Sequence, residues 1–241
     1  MARIWSSGGE LQTTSSGVEI TSAVLTTMSQ TSTVRSGAAA YQSNASGSSR
    51  DIFYQFAGSN QQGDFYFRIY FRFPTNPAGT RNVIRVTTTS SSTVKVSIRL
   101  TSSGTLELWN DEDNAQIGSA SSSLSTDTWY RIELKVDTTT LASTSVEGRI
   151  EGVSFASGTI NLAAGIAGFG WGVDSATTLN SFYDDLAINN SSGSFQNSWP
   201  GSGSIVHLKP NAAGDTNTFF IGSYTDIDEI TPDDSTTVAY G

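Results

Sequence analysis

Between Phe65 and Phe73 the chain reads FYFRIYFRF, and its even positions carry Tyr66, Arg68, Tyr70 and Arg72. Aromatic rings stack on sugar faces, and guanidinium forks bind hydroxyls and carboxylates. Trp109 in TLELWN and Trp171 in GIAGFGWGV add two more aromatic surfaces. These six residues form a candidate glycan-binding set. A structural reading competes with it. Lys95, Arg99, Glu107, Arg131, Glu133 and Lys135 alternate in the same way on other segments. Cross-strand pairs of that kind contribute about 0.2–1 kcal/mol each.

A second set is acidic. NDEDN carries Asp111 and Asp113, and FYDDLAINN carries Asp184 and Asp185. Calcium takes oxygen ligands of this kind from loops, so these four are candidate calcium ligands. The EF-hand offsets are missing, and turn acids without a metal are the competing reading.

Catalytic patterns are scarce. The chain has no cysteine and one histidine, His207, so neither a thiolate nucleophile nor a multi-histidine metal site can form. His207 reads as a structural residue near a strand end. No G-x-S-x-G elbow occurs. Retaining glycoside hydrolysis needs two carboxylates about 5 Å apart, placed two or four residues apart on one strand face. The sequence contains no E-x-D; its acid clusters are Asp111–Asp113, Asp184–Asp185 and DIDE at Asp226–Glu229. Gly165, Gly168, Gly170 and Gly172 resemble a phosphate loop only in composition, because no helical pattern follows them. Glycines so placed let a strand pack closely against its neighbours.

The elements that must position these residues are strands. Alternating runs are separated by Gly, Ser, Thr and Asn clusters throughout. Strands are expected at 35–43, 51–57, 65–73, 82–88, 93–100, 105–110, 129–137, 145–155, 165–173 and 181–189, with AQIGSAS between the sixth and seventh and a short one at 204–210. Many short strands with tight turns imply an all-β, two-sheet antiparallel jelly-roll sandwich. The expected layout is an irregular docking segment over 1–34, the sandwich over 35–190, and a loop-rich acidic segment over 191–241 packed on the sandwich or on a neighbour.

The charge is −9, with 22 Asp and Glu against 13 Lys and Arg. From Gly152 onward there are 9 acids and one basic residue, Lys209. Such a surface repels phosphate backbones, so no nucleic-acid partner is expected. No apolar run reaches the length of a membrane span, and MARIWSSGGELQTTSS has no apolar signal-peptide core. Membrane insertion is not expected, and an extracellular location would require lysis or a dedicated export machine.

WYRIELKVD, then GRIEG, a glycine-rich strand and FYDDLAIN follow one another in this order. Their order resembles the concanavalin A-like lectin/glucanase jelly roll, and within it the laminin-G-like branch, over residues 35–189. Five flanking motifs carry a second resemblance: MARIWSSGGEL, VRSG, YDDLAIN, QNSWPG and LKPNAAGD. Together they resemble tailed-phage and prophage structural proteins bearing a lectin-like jelly roll. Such proteins often continue past an acidic segment like Asp228–Asp234. The resemblance implies a virion component, a capsid decoration or adhesin module without catalysis. Other virion proteins, further copies of the chain and environmental or host-surface glycans are the implied partners. No catalytic residue and no cofactor beyond possible calcium is implied. Two alternatives stand beside it: a carbohydrate-binding receptor-recognition protein of a tail or fibre, and a glycan-degrading enzyme.

Overall fold

A computed structural model describes residues 3–12, 22–24, 29–45, 50–58, 60–88, 93–173, 179–205, 220–221 and 239–240. The strands are β1 (Arg3–Ser7), β2 (Ser22–Val24), β3 (Ser29–Thr31), β4 (Ala40–Ala45), β5 (Arg50–Gln55), β6 (Asp64–Arg72), β7 (Arg81–Thr87), β8 (Val94–Leu100) and β9 (Leu106–Asn110). They continue with β10 (Ala115–Ile117), β11 (Tyr130–Asp137), β12 (Thr144–Ile150), β13 (Val153–Ile160), β14 (Gly168–Val173), β15 (Leu179–Asn190), β16 (Phe220–Ile221) and β17 (Ala239–Tyr240). One 3-10 turn, Leu141–Ser143, leads into β12.

Two antiparallel sheets make the sandwich. The larger runs β13-β12-β11-β6-β15-β4-β3, and β1 also pairs with β15. The smaller runs β10-β9-β8-β7-β14-β5-β2. Their inner faces meet through the apolar positions that alternation marks. Phe67 of β6 stacks on Phe169 of β14 across the two sheets, with centroids 4.7 Å apart. Ile69, Phe71, Ile98, Leu108, Ile132 and Leu134 are fully buried around this contact.

Three local features depart from the expected strands. The run 145–155 is two strands, because Glu151 and Gly152 both adopt positive φ and close a tight hairpin between β12 and β13. That backbone twist suits a two-residue hairpin loop. The first strand expected, 35–43, begins only at Ala40. Side-chain carboxylates capture the backbone N–H groups of Arg35, Ser36, Ala38 and Ala39. Finally, the segment before residue 35 contributes β1, β2 and β3 to the two sheets. Of the run 204–210, Ser204 and Ile205 are described and lie outside any strand. The rest of that run, with His207, falls outside the described residues, as does Asp226–Glu229.

The glycines of β14 do what close packing requires. A Cβ at Gly168 would come within 3.0 Å of the Phe53 ring and the Tyr54 carbonyl, and one at Gly170 would meet Arg85. Phe53 and Arg85 therefore lie across strand β14 on the outer face of the smaller sheet.

Candidate functional site

The outer face of the larger sheet carries the even positions of β6. Register places Tyr66 opposite Lys135, Arg68 opposite Glu133 and Tyr70 opposite Arg131. On the other side, Tyr66 meets Asn189, Arg68 meets Ala187 and Tyr70 meets Asp184. Between Asp184 and Ala187 the register slips, and Asp185 adopts φ 50°. This bulge turns both Asp184 and Asp185 into buried positions.

The face is closed by the chain itself. Residues 198–205 run over it as a strap. Trp199 meets Tyr66 edge-on at 5.4 Å, and the Arg149 guanidinium lies 3.9 Å from the Trp199 ring. The Gly201 N–H donates to Glu133 Oε1 at 2.8 Å, and Arg68 Nη1 donates to the Gly201 carbonyl at 3.1 Å. Arg35 Nη1 donates to the Gly203 carbonyl, and the Ile205 N–H donates to Asp185 Oδ1. Asn189 Nδ2 donates to the Ser198 carbonyl. A Cβ at Gly203 would meet Arg68 Nη1 at 2.7 Å, so the strap crosses that guanidinium closely at a residue without a side chain. Tyr66, Arg68 and Tyr70 are consequently 8%, 3% and 5% exposed.

The acids of this face all have partners. Asp185 receives Arg35 Nη1 at 2.7 Å and the Ser36 hydroxyl at 2.8 Å. Asp184 accepts the N–H groups of Arg35, Ser36 and Asp185. Burial, reinforced by neighbouring Asp185, pushes the Asp184 carboxyl up to about 7 despite those donors. Glu133 pairs with Arg131 at 3.3 Å, Asp64 with Lys135 at 3.4 Å, and Glu147 with Arg149 at 2.8 Å. The Tyr66 hydroxyl donates to Asp64 at 2.6 Å. Burial and that bond raise the Tyr66 phenol above its usual range. Glu10 anchors the N-terminal segment by accepting the N–H groups of Ala38 and Ala39.

The six aromatic and basic candidates do not share one surface. Tyr66, Arg68 and Tyr70 lie together under the strap. Arg72, on the same strand, pairs with Asp127 at 2.7 Å. Trp109 stands on the outer face of the opposite sheet, with Arg99 3.9 Å above its ring and its indole N–H bonded to Glu107. Trp171 is fully buried in the core against Trp5, Phe169 and Tyr41, which removes it as a surface platform. The four calcium candidates are split as well. Asp111 pairs with Arg99, and Asp113 accepts from Asn110 in the turn between β9 and β10. Asp184 and Asp185 lie in the other sheet. Among the described residues no three His, Cys, Asp or Glu side chains gather as a metal set.

A cavity of about 320 Å³ remains between strap and sheet, lined by Arg3, Arg68, Asn189, Gln196, Trp199, Pro200 and Ser202–Ile205. Arg3, Arg149 and Trp199 were not among the candidates. Arg3 and Trp199 do sit in the flanking motifs MARIWSSGGEL and QNSWPG.

No protein-family model matches the chain, and no curated protein sequence does. Solved structures do match. The endo-β-1,4-glucuronan lyase of the fungus Trichoderma reesei aligns with a TM-score of 0.54 at 12% identity, over 78% of this chain and 95% of that one. The cellulose-induced protein Cip1 aligns with a TM-score of 0.54 at 16% identity, over 73% of this chain and 88% of that one. The receptor-binding domain of botulinum neurotoxin type G aligns with a TM-score of 0.51 at 14% identity, over 79% of this chain and 48% of that one. At these identities the likeness is one of fold: this chain is a jelly-roll-like antiparallel sandwich.

Proposed function

We propose that this chain is a non-enzymatic structural protein of a tailed-phage particle, displayed at the virion surface as a capsid decoration or adhesin module. One observation carries the reading. Four of the five flanking motifs that resemble phage structural proteins converge on one clamp. Arg3 bonds Asn189, Glu10 holds the turn after Arg35, Arg35 holds Asp185, and the segment after Trp199 closes over Arg68. The motifs thus describe a single architectural unit rather than scattered matches. The engagement of every acid on the strapped face supports a non-catalytic role, since a glycosidase needs two carboxylates free to face the scissile bond.

The test is mass spectrometry of purified particles from the phage or induced prophage that encodes the chain. Stoichiometric presence supports the reading, and absence from particles overturns it. A second reading, glycan recognition at a tail or fibre, draws on the fold shared with lectin domains and on the cavity under the strap. A glycan array on the purified chain decides it: a repeatable hit supports recognition, and a blank array removes it.

A further inference from the structure

The cavity under the strap is unusual in its charge. The chain carries −9 overall, yet no carboxylate lines this cavity, and two guanidinium groups do. Arg68 is 3% exposed and, among the described residues, donates hydrogen bonds to backbone carbonyls, those of Asp185 and Gly201. Among the described residues, Arg3 bonds the side-chain oxygen of Asn189. Neither forms an ion pair among the described residues. The acids that act on Arg68 without touching it, Asp185 and Glu133, are themselves paired with Arg35 and Arg131.

A buried guanidinium with a half-buried one of like charge beside it favours an anion on their open side. Burial lowers the pKa of both guanidinium groups; Arg3 adds to the lowering at Arg68, and Asp185, Tyr70 and Glu133 oppose it. The remaining lining includes groups suited to hydroxyls: the Gln196 amide, the Ser202 and Ser204 side chains and the strap backbone. The volume lies at the small end of ligand pockets and suits one ring rather than a chain.

We infer that this cavity binds one sugar-sized, polyhydroxylated carboxylate, with its carboxylate held between Arg3 and Arg68 and its hydroxyls facing the strap. Arg–carboxylate forks supply the orientation and strength. The site stands apart from the particle reading, because it depends on the cavity and not on where the chain is displayed.

Calorimetric titration of the whole chain tests this with D-glucuronate, D-glucose and acetate. Glucuronate is expected to bind, and at least about tenfold more tightly than glucose, which lacks the carboxylate, or acetate, which lacks the hydroxyls. Arg3→Gln is expected to weaken glucuronate about tenfold or more, since a charge-assisted bond is lost. Arg3→Lys is expected to recover part of that loss. Ser202→Leu adds bulk at an exposed residue of the cavity lining, away from the core, and is expected to weaken binding. Methyl β-D-glucuronide separates the two sources of such a ligand. Binding equal to that of glucuronate marks a residue within a glycan, and binding lost on methylation marks a free sugar acid. No binding of either acid, equal affinity for glucose, or unchanged affinity in Ser202→Leu overturns the inference.

Discussion

Trp199 meets Tyr66 edge-on, with ring centroids 5.4 Å apart, and so fixes the strap to the polar face of the larger sheet. Arg149 covers the same indole at 3.9 Å. Aromatic pairs and cation–π contacts contribute about 0.5–2 kcal/mol each. Trp199→Ala should therefore lower stability by about 1–3 kcal/mol in urea unfolding, through those two contacts. The Gly201 amide, which donates to Glu133, should also lose protection in hydrogen exchange. Unchanged exchange across 198–205 would mean that the strap is held by its backbone bonds alone.

Asp185 joins three parts of the chain that lie far apart in sequence. Its carboxylate receives Arg35, Ser36 and the Ile205 N–H, and its side chain is fully buried. Asp185→Ala leaves those donors without an acceptor and should cost about 3–5 kcal/mol. Asp185→Asn should cost less, because Asn keeps one acceptor oxygen and tolerates the left-handed backbone at φ 50°. Thermal melts of the two variants check the order. Equal losses would show that charge, rather than backbone shape, dominates at the bulge.

These two residues also show what the sequence made legible. Alternation in FYFRIYFRF identified Phe67, Ile69 and Phe71 as core, because side-chain period is a local property of a strand. The same alternation left the use of Tyr66, Arg68 and Tyr70 open between a ligand surface and a sheet surface. Their cover lies elsewhere: Arg68 and Gly201 are 133 residues apart. No local spacing reports a contact of that range. Trp171 had the residue type of a sugar platform and lies in the core: alternation with glycine puts Phe169, Trp171 and Val173 on one face, but does not say whether that face is the inner one. The hairpin at Glu151–Gly152 was hidden for a different reason. GRIEGVSF keeps apolar residues on both sides of the turn, so the run resembles one long strand.

Gly168 lies directly against Phe53 on the outer face of the smaller sheet. A methyl group there would overlap the Phe53 ring and the Tyr54 carbonyl, so Gly168→Ala should destabilise by about 1–3 kcal/mol through overpacking. Phe53→Leu in the same chain should recover only part of the loss, since the backbone carbonyl remains. A double-mutant cycle by chemical denaturation measures the coupling. A zero coupling energy would place the strain on the backbone alone.

Asp184 supplies the pH dependence of the clamp. Burial first, and then Asp185, raises its carboxyl from 3.8 to about 7 in the folded chain. The folded protein thus binds this proton more tightly than the unfolded one. Between 3.8 and about 7 the folded state carries more protons, so its stability falls as pH rises through that window. The contribution is full below the unfolded value and gone above the folded one. Asp184→Asn cannot titrate and lacks this term. The stability of the native chain minus that of the variant should therefore decline from pH 4 to about 7 and then level off. Urea titrations of both proteins at several pH values read it directly. A difference that grows with pH over this range would mean that the three N–H donors from Arg35, Ser36 and Asp185 outweigh burial and hold the carboxylate ionised.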